Sequence, residues 1–123
     1  MAKRILLIDD EELIIKSVKK LLEKDGFGVL IAKSGQDALM LSDCDKFGLI
    51  IADIRMPGIN GVETIKSINE TMCKRGLKAP GVIFITGYAD EEIEQEAEAL
   101  NPIAYIYKPF DICDLISKIK EAG

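Results

Sequence analysis

Four short apolar runs in this chain each stop at a residue able to do chemistry. Ile5 to Ile8 is followed by Asp9 and Asp10, and Gly48 to Ala52 by Asp53. Gly81 to Ile85 is followed by Thr86 and then Gly87, and Ile103 to Tyr107 by Lys108 and Pro109. Three carboxylates gathered in one pocket repel one another, and a hard divalent cation with oxygen ligands relieves that repulsion; Mg2+ suits it, since it takes one or two carboxylates and shares itself with phosphate oxygens. The chain has no histidine, and no cysteine lies near these positions. The nucleophile expected is therefore an aspartate forming an acyl phosphate, and Asp53, ahead of the turn Ile54 to Gly58, is the choice. Lys108 offers a positive charge to phosphoryl oxygens and Thr86 a hydroxyl donor beside a glycine that leaves room for the incoming group. The backbone carbonyl of Arg55 is placed to complete the metal shell.

Those residues share a pocket only if the elements carrying them are arranged to bring their ends together. Arg4 to Ile8, Phe27 to Ala32, Gly48 to Ala52, Gly81 to Ile85 and Ile103 to Tyr107 read as five strands, apolar enough to be covered on both faces. Between them lie segments of helical period: Leu13, Ile14, Val18, Leu21 and Leu22; Ala38, Leu39 and Leu41; Val62, Ile65, Ile68 and Met72; Ile93, Ala97 and Leu100; and finally Ile112, Leu115, Ile116 and Ile119. Ser34, Asn60, Asp90 and Asp111 are expected to open helices, the first two with an acid three residues on, and Gly26 and Gly76 to close them. Alternating strands and helices imply a parallel α/β sheet with right-handed crossovers and helices on both faces. In such a sheet ligands bind beyond the carboxyl ends of the strands, where the strand order reverses. With a flavodoxin-like order 2-1-3-4-5, that crevice lies between the first and third strands, and Asp9, Asp10 and Asp53 converge on it.

A length of 123 residues is that of one domain, and the whole chain, residues 1–123, is read as one. A formal charge of −5 without any basic run argues against nucleic-acid or anionic-membrane surfaces. The first apolar stretch is too short for a signal segment, so a cytoplasmic location is expected. Cys44, Cys73 and Cys113 form no C-x-x-C pair and leave an odd count; buried or half-buried free thiols are expected. The acidic run Asp90, Glu91, Glu92, Glu94, Glu96 and Glu98 reads as a solvated helix face or a partner surface, with Ile93 and Ala97 inward. Tyr105 and Tyr107 point to one side of a strand, and Tyr107 is expected to pack into the core.

Each group has an ordinary reading when taken singly: Asp9 and Asp10, with Glu11 and Glu12, as acids at a helix start; Asp53 as a turn residue; Thr86 as a loop hydroxyl; Lys108 as a solvated lysine. Four complementary groups at the ends of four strands out of five speak against coincidence. In combination they resemble the response-regulator receiver family along the chain from Ile5 to Ala122. The run Ile5 to Glu11 (ILLIDDE) is similar to the family's acidic pair, and Ala52 to Gly58 (ADIRMPG) with Gly61 to its phosphorylation loop. Phe84 to Gly87 (FITG) and Tyr105 to Phe110 (YIYKPF) resemble its last two signatures.

The resemblance implies a phosphorylation switch of a two-component phosphorelay, not a conventional enzyme, that catalyses its own Mg2+-dependent phosphorylation and dephosphorylation. Asp53 would accept phosphate from the phosphohistidine of a histidine kinase or histidine phosphotransfer protein, or from a small phosphodonor. Asp10 and Asp53 would hold Mg2+ directly and Asp9 through water, Thr86 and Lys108 would contact the phosphoryl group, and Tyr105 would be an aromatic switch. The bond from Lys108 to Pro109 is expected to be cis. The face formed by the fourth helix, fifth strand and fifth helix would change with phosphorylation and control binding of a downstream protein target, a phosphorylation-dependent dimer being left open. Arg55 and Tyr88, both bulky, stand where this family tunes dephosphorylation, and slow self-hydrolysis is expected. With the chain ending one helix after Lys108, no output domain is expected and output passes to a partner. Three rivals remain: a degenerate receiver acting only as a protein-binding module, a phosphatase with an aspartyl-phosphate intermediate, and a flavodoxin-like cofactor binder. The second lacks its D-x-D signature here, and the third lacks both tryptophan and a G-x-G-x-x-G turn.

Overall fold

The computed structural model describes residues 4–44, 46–56, 58–87 and 90–122. Five strands, β1 (Arg4–Ile8), β2 (Gly28–Ala32), β3 (Leu49–Asp53), β4 (Gly81–Thr86) and β5 (Ala104–Tyr107), alternate with five helices, α1 (Glu12–Lys24), α2 (Gly35–Cys44), α3 (Gly61–Lys74), α4 (Glu91–Glu98) and α5 (Ile112–Ala122). All strand pairs are parallel and the order is β2-β1-β3-β4-β5, as expected from the sequence. No described helix is long and apolar enough to cross a membrane.

The side-chain period of two sorts the strand residues into two cores. Leu6, Ile8, Ile50, Ala52, Val82 and Phe84 pack with residues of α2, α3 and α4. Their neighbours Ile5, Leu7, Leu49, Ile51, Ile83 and Ile85 pack with Val18 and Leu22 of α1 and Leu115 and Ile119 of α5. Residues 5–8 of β1 are all fully buried, as a strand covered on both faces requires.

The helix boundaries follow from local chemistry. Asn60 and Glu63 form a reciprocal capping box at the start of α3, Asp90 accepts from the backbone N–H groups of Glu92 and Ile93, and Ser34 Oγ accepts from Asp37. Asp111 accepts from the Cys113 N–H at 2.8 Å. Gly26 and Gly76 have φ of 92° and 69°, the left-handed conformation that lets the chain leave a helix without a Cβ clash.

Three sequence expectations are corrected. On α1 the buried stripe is Ile15, Val18 and Leu22, while Leu13 is 81% exposed and Leu21 lies at the edge of the stripe. At 100° per residue a stripe spaced three and four apart cannot also hold Leu13. Tyr107 is exposed, because β5 is an edge strand and its last residue runs past the core. Cys73 and Cys113 are exposed free thiols on the outer faces of α3 and α5; nothing is described of the Cys44 side chain.

Candidate functional site

The carboxyl ends of β1, β3 and β5 place three charged groups on the α1/α5 side of the sheet. Asp9 continues the series Ile5, Leu7; Asp53 continues Leu49, Ile51; Lys108 continues Ala104, Ile106. Backbone hydrogen bonds carry the order beyond the strands: Asp9 N–H donates to Ala32 at 3.0 Å, Ile54 N–H to Ile85 at 2.9 Å, and Lys108 N–H to Thr86 at 2.7 Å. The peptide bond from Lys108 to Pro109 is cis, as expected. Gly61 lets α3 start against the end of β3, since a Cβ there would lie 2.3 Å from the carbonyl oxygen of Asp53.

Oxygens of Asp9, Asp10 and Asp53 lie within 4.8 Å of one another. Asp9 and Asp53 are buried and Asp10 is exposed, so the cluster opens to solvent on one side. Asp9 Oδ1 accepts from the Glu11 N–H at 2.8 Å, and Asp53 Oδ1 from the Arg55 N–H at 3.3 Å. The buried Asp9 Oδ2 has no hydrogen-bond partner among the described residues. The Lys108 ammonium lies 3.2 Å from Asp53 Oδ2 and 3.5 Å from Asp9 Oδ2. It also reaches Glu11 Oε1 at 2.5 Å.

The electrostatics are those of a site short of positive charge. Burial, and then the neighbouring Asp9 carboxylate, push the Asp53 carboxyl up to about 6 against the opposing pull of Lys108. Burial also raises Asp9. Burial alone would lower the Lys108 ammonium, but the Glu11, Asp53 and Asp9 carboxylates outweigh it and the net direction is upward. A set of hard oxygen donors around a buried carboxylate oxygen that has the Lys108 ammonium at 3.5 Å but no hydrogen bond fits a divalent cation such as Mg2+.

Thr86 and Tyr105 stand apart from this cluster. Thr86 follows Val82 and Phe84 onto the opposite side of the sheet, where it is buried and lines a cavity of about 240 Å³ with Ile54, Arg55, Met56, Asn60, Asp90 and Ile93. Tyr105 is half-buried on the same side, its ring centroid 6.3 Å from that of Phe84 and 5.4 Å from that of Tyr107. Burial and then Tyr107 raise its phenol to about 12, so it is a neutral donor. The neighbouring Glu94 carboxylate, and then burial, also raise the Tyr107 phenol. Of the pair expected to tune dephosphorylation, Arg55 is exposed beside Asp53, and Tyr88 lies outside the described residues, as does Pro57 of the turn.

The sequence reads Glu11 as an acid at a helix start and as the last residue of the acidic-pair run, with no role of its own in the site. Glu11 is indeed the N-cap residue of α1, but its side chain makes no capping bond. It turns instead to Lys108, 97 positions away, an ion pair that no local pattern announces.

Comparison with known proteins agrees with this architecture. The transcriptional regulatory protein CrdR of Helicobacter pylori is 34% identical over 120 residues, 98% of this chain and 54% of that protein. The chain thus spans about half the length of the curated relatives it matches. A CheY-like response regulator receiver domain protein from Methanospirillum hungatei superposes with a TM-score of 0.87 at 34% identity, covering 98% of this chain and 93% of the other. The receiver domain of DrrB, solved as BeF3 activated, superposes with a TM-score of 0.82 at 26% identity over 99% and 97% of the two chains. Residues 5–120 match the response regulator receiver domain as a family, and the chain belongs to it.

Proposed function

We propose that this domain is the phosphorylation switch of a two-component phosphorelay, with Asp53 as phosphoacceptor. The observation that carries the reading is the placement of the Lys108 ammonium 3.2 Å from Asp53 Oδ2 within the cluster of Asp9, Asp10 and Asp53. A buried carboxylate with a fixed cation at one oxygen and an acidic metal-type cluster beside it is equipped to receive a phosphoryl group.

In the transfer, an Asp53 carboxylate oxygen attacks phosphorus in line with the leaving group. The new O–P bond forms as the P–N bond to the donor histidine breaks, and the imidazole nitrogen keeps the bonding pair. Asp10 and Asp53, the Arg55 carbonyl and, through water, Asp9 would hold Mg2+, which when bound would supply positive charge against the phosphoryl oxygens. Lys108 donates to one equatorial oxygen and Thr86 to another. With its carboxyl pushed up to about 6, Asp53 is largely ionised at neutral pH, and positive charge brought into the cluster would keep it ionised at lower pH.

The donor is a histidine kinase or a histidine phosphotransfer protein, a small acyl phosphate substitutes for it, and a downstream protein reads the α4, β5 and α5 surface. The compartment is the cytoplasm. Receivers hydrolyse as well as form the acyl phosphate, and Arg55, exposed beside Asp53, is expected to slow access of the attacking water.

The test is incubation with acetyl phosphate, with and without Mg2+, read by intact mass for the wild type and Asp53→Asn. One added phosphoryl group that requires both Mg2+ and Asp53 supports the assignment. Labelling of Asp53→Asn at the wild-type rate would overturn it.

A further inference from the structure

We propose that Glu11 is a positioning residue of the phosphorylation site, holding the Lys108 ammonium over Asp53 and supplying the counter-charge that keeps it there. The inference rests on the reading of Asp53 as phosphoacceptor and deepens it.

Lys108 arrives on a flexible four-carbon stem, and the useful location of its charge is not guaranteed by the backbone alone. Its backbone N–H is tied to Thr86 at 2.7 Å, which fixes the root of the side chain. The tip touches three carboxylates, and the shortest of these approaches is to Glu11, at 2.5 Å against 3.2 Å for Asp53 and 3.5 Å for Asp9. An ammonium has three protons, so Glu11 can hold one while another is directed at Asp53.

The burial of the pair fits a tether at the rim. The Lys108 side chain is 13% exposed and that of Glu11 55%, so the acid stands outside and the cation points in. Glu11 is also spared the usual task of its position: its side chain caps nothing, and its own N–H is taken by Asp9 Oδ1.

The need for a tether grows when the cluster is loaded with a divalent cation. Asp9 and Asp53 then share their charge with a metal that repels the neighbouring ammonium. Glu11 is not among the three clustered carboxylates and keeps its full charge for Lys108. Lys108 therefore stays available to the phosphoryl oxygens instead of swinging to solvent. The opposite role, an acid that diverts Lys108 from Asp53, is disfavoured because the ammonium is already within hydrogen-bonding distance of Asp53 while Glu11 holds it.

The experiment compares wild type, Glu11→Gln, Lys108→Met and the double variant. One readout is the initial rate of labelling by acetyl phosphate at saturating Mg2+, and the other is the Lys108 Cε and Nζ resonances of the metal-free protein. Glu11→Gln should label about five- to tenfold more slowly, as expected on removing one charge-assisted hydrogen bond from a partly exposed site. It should have no further effect in the Lys108→Met background, and its Lys108 resonances should move to the averaged positions of a solvated lysine. A Glu11→Gln rate equal to or above wild type, rate reductions that multiply in the double variant, or unchanged Lys108 resonances would overturn the proposal. Should the wild type take no label at all, the phosphoacceptor reading fails, and the metal-free resonances alone decide whether Glu11 positions Lys108.

Discussion

Asp53 must ionise in surroundings that resist it. Its carboxyl titrates near 6 in the folded chain against an ordinary value of 3.8, chiefly because it is buried and then because Asp9 stands beside it. The folded state therefore binds this proton more tightly than the unfolded chain does. The stability contributed by the group is full below the unfolded value and is lost as pH rises through about 6. At 1.36 kcal/mol per pH unit the whole effect is at most about 3 kcal/mol. Metal-free wild type should thus be less stable to urea at pH 7.5 than at pH 5. Asp53→Asn, similar in shape and uncharged, should flatten that dependence and be the more stable protein at pH 7.5. Parallel pH profiles for the two would show that another group dominates. Addition of Mg2+ at pH 7.5 should raise the stability of the wild type by mass action and narrow the gap to Asp53→Asn.

At the level of elements, the site depends on how closely α3 is set against the end of β3. The Gly61 N–H donates to the Ile54 carbonyl at 2.8 Å, and a Cβ at Gly61 would lie 2.3 Å from the Asp53 carbonyl oxygen. Backbone cannot yield as a flexible side chain does, so Gly61→Ala should cost about 2 kcal/mol or more in urea unfolding and slow Asp53 labelling by shifting the strand end. A stable variant with normal labelling would show that α3 can retreat without moving Asp53. The same elements show what was legible in the sequence. Continuous apolar runs, polar strand ends and helix caps such as Asn60 with Glu63 are local signals, and they located the five strands and the groups Asp9, Asp10, Asp53, Thr86 and Lys108 on their ends. Less was legible where the answer depends on what lies across the fold. Leu13 and Tyr107 are apolar or aromatic residues in sound elements, yet exposed because a particular helix rotation and an edge strand leave them uncovered. The ion pair of Glu11 with Lys108 joins residues 97 apart and has no short-range signature.

For the whole molecule, the division of the sheet into two sides sets the route a signal would take in the proposed switch. Asp9, Asp53 and Lys108 continue the strand faces packed against α1 and α5, whereas Thr86 and Tyr105 belong to the side packed with α3 and α4. A phosphoryl group on Asp53 would thus be formed at the strand ends with its acidic cluster on one side and its readers on the other. Thr86, at the end of the strand that pairs with both β3 and β5, is the element common to the two. In the proposed switch its hydroxyl would be drawn toward the phosphoryl oxygens, the cavity it shares with Ile54, Asn60, Asp90 and Ile93 would change shape, and the half-buried Tyr105 beside Phe84 would be free to repack. Moving such a switch from nearly off to nearly on takes about 5.5 kcal/mol of differential binding, within reach of a few charge-assisted hydrogen bonds. Beryllofluoride with Mg2+ is the convenient probe, since the related DrrB receiver is described as activated by BeF3. In wild type it should alter hydrogen exchange at β1 and β3 and also across α4, β5 and α5. In Thr86→Ala, beryllofluoride should still bind and protect the strand ends, while the response of α4 and β5 should be largely abolished. Equal responses of the far surface in both proteins would mean that the coupling bypasses Thr86 and runs through Lys108 and the start of α5 on the near side.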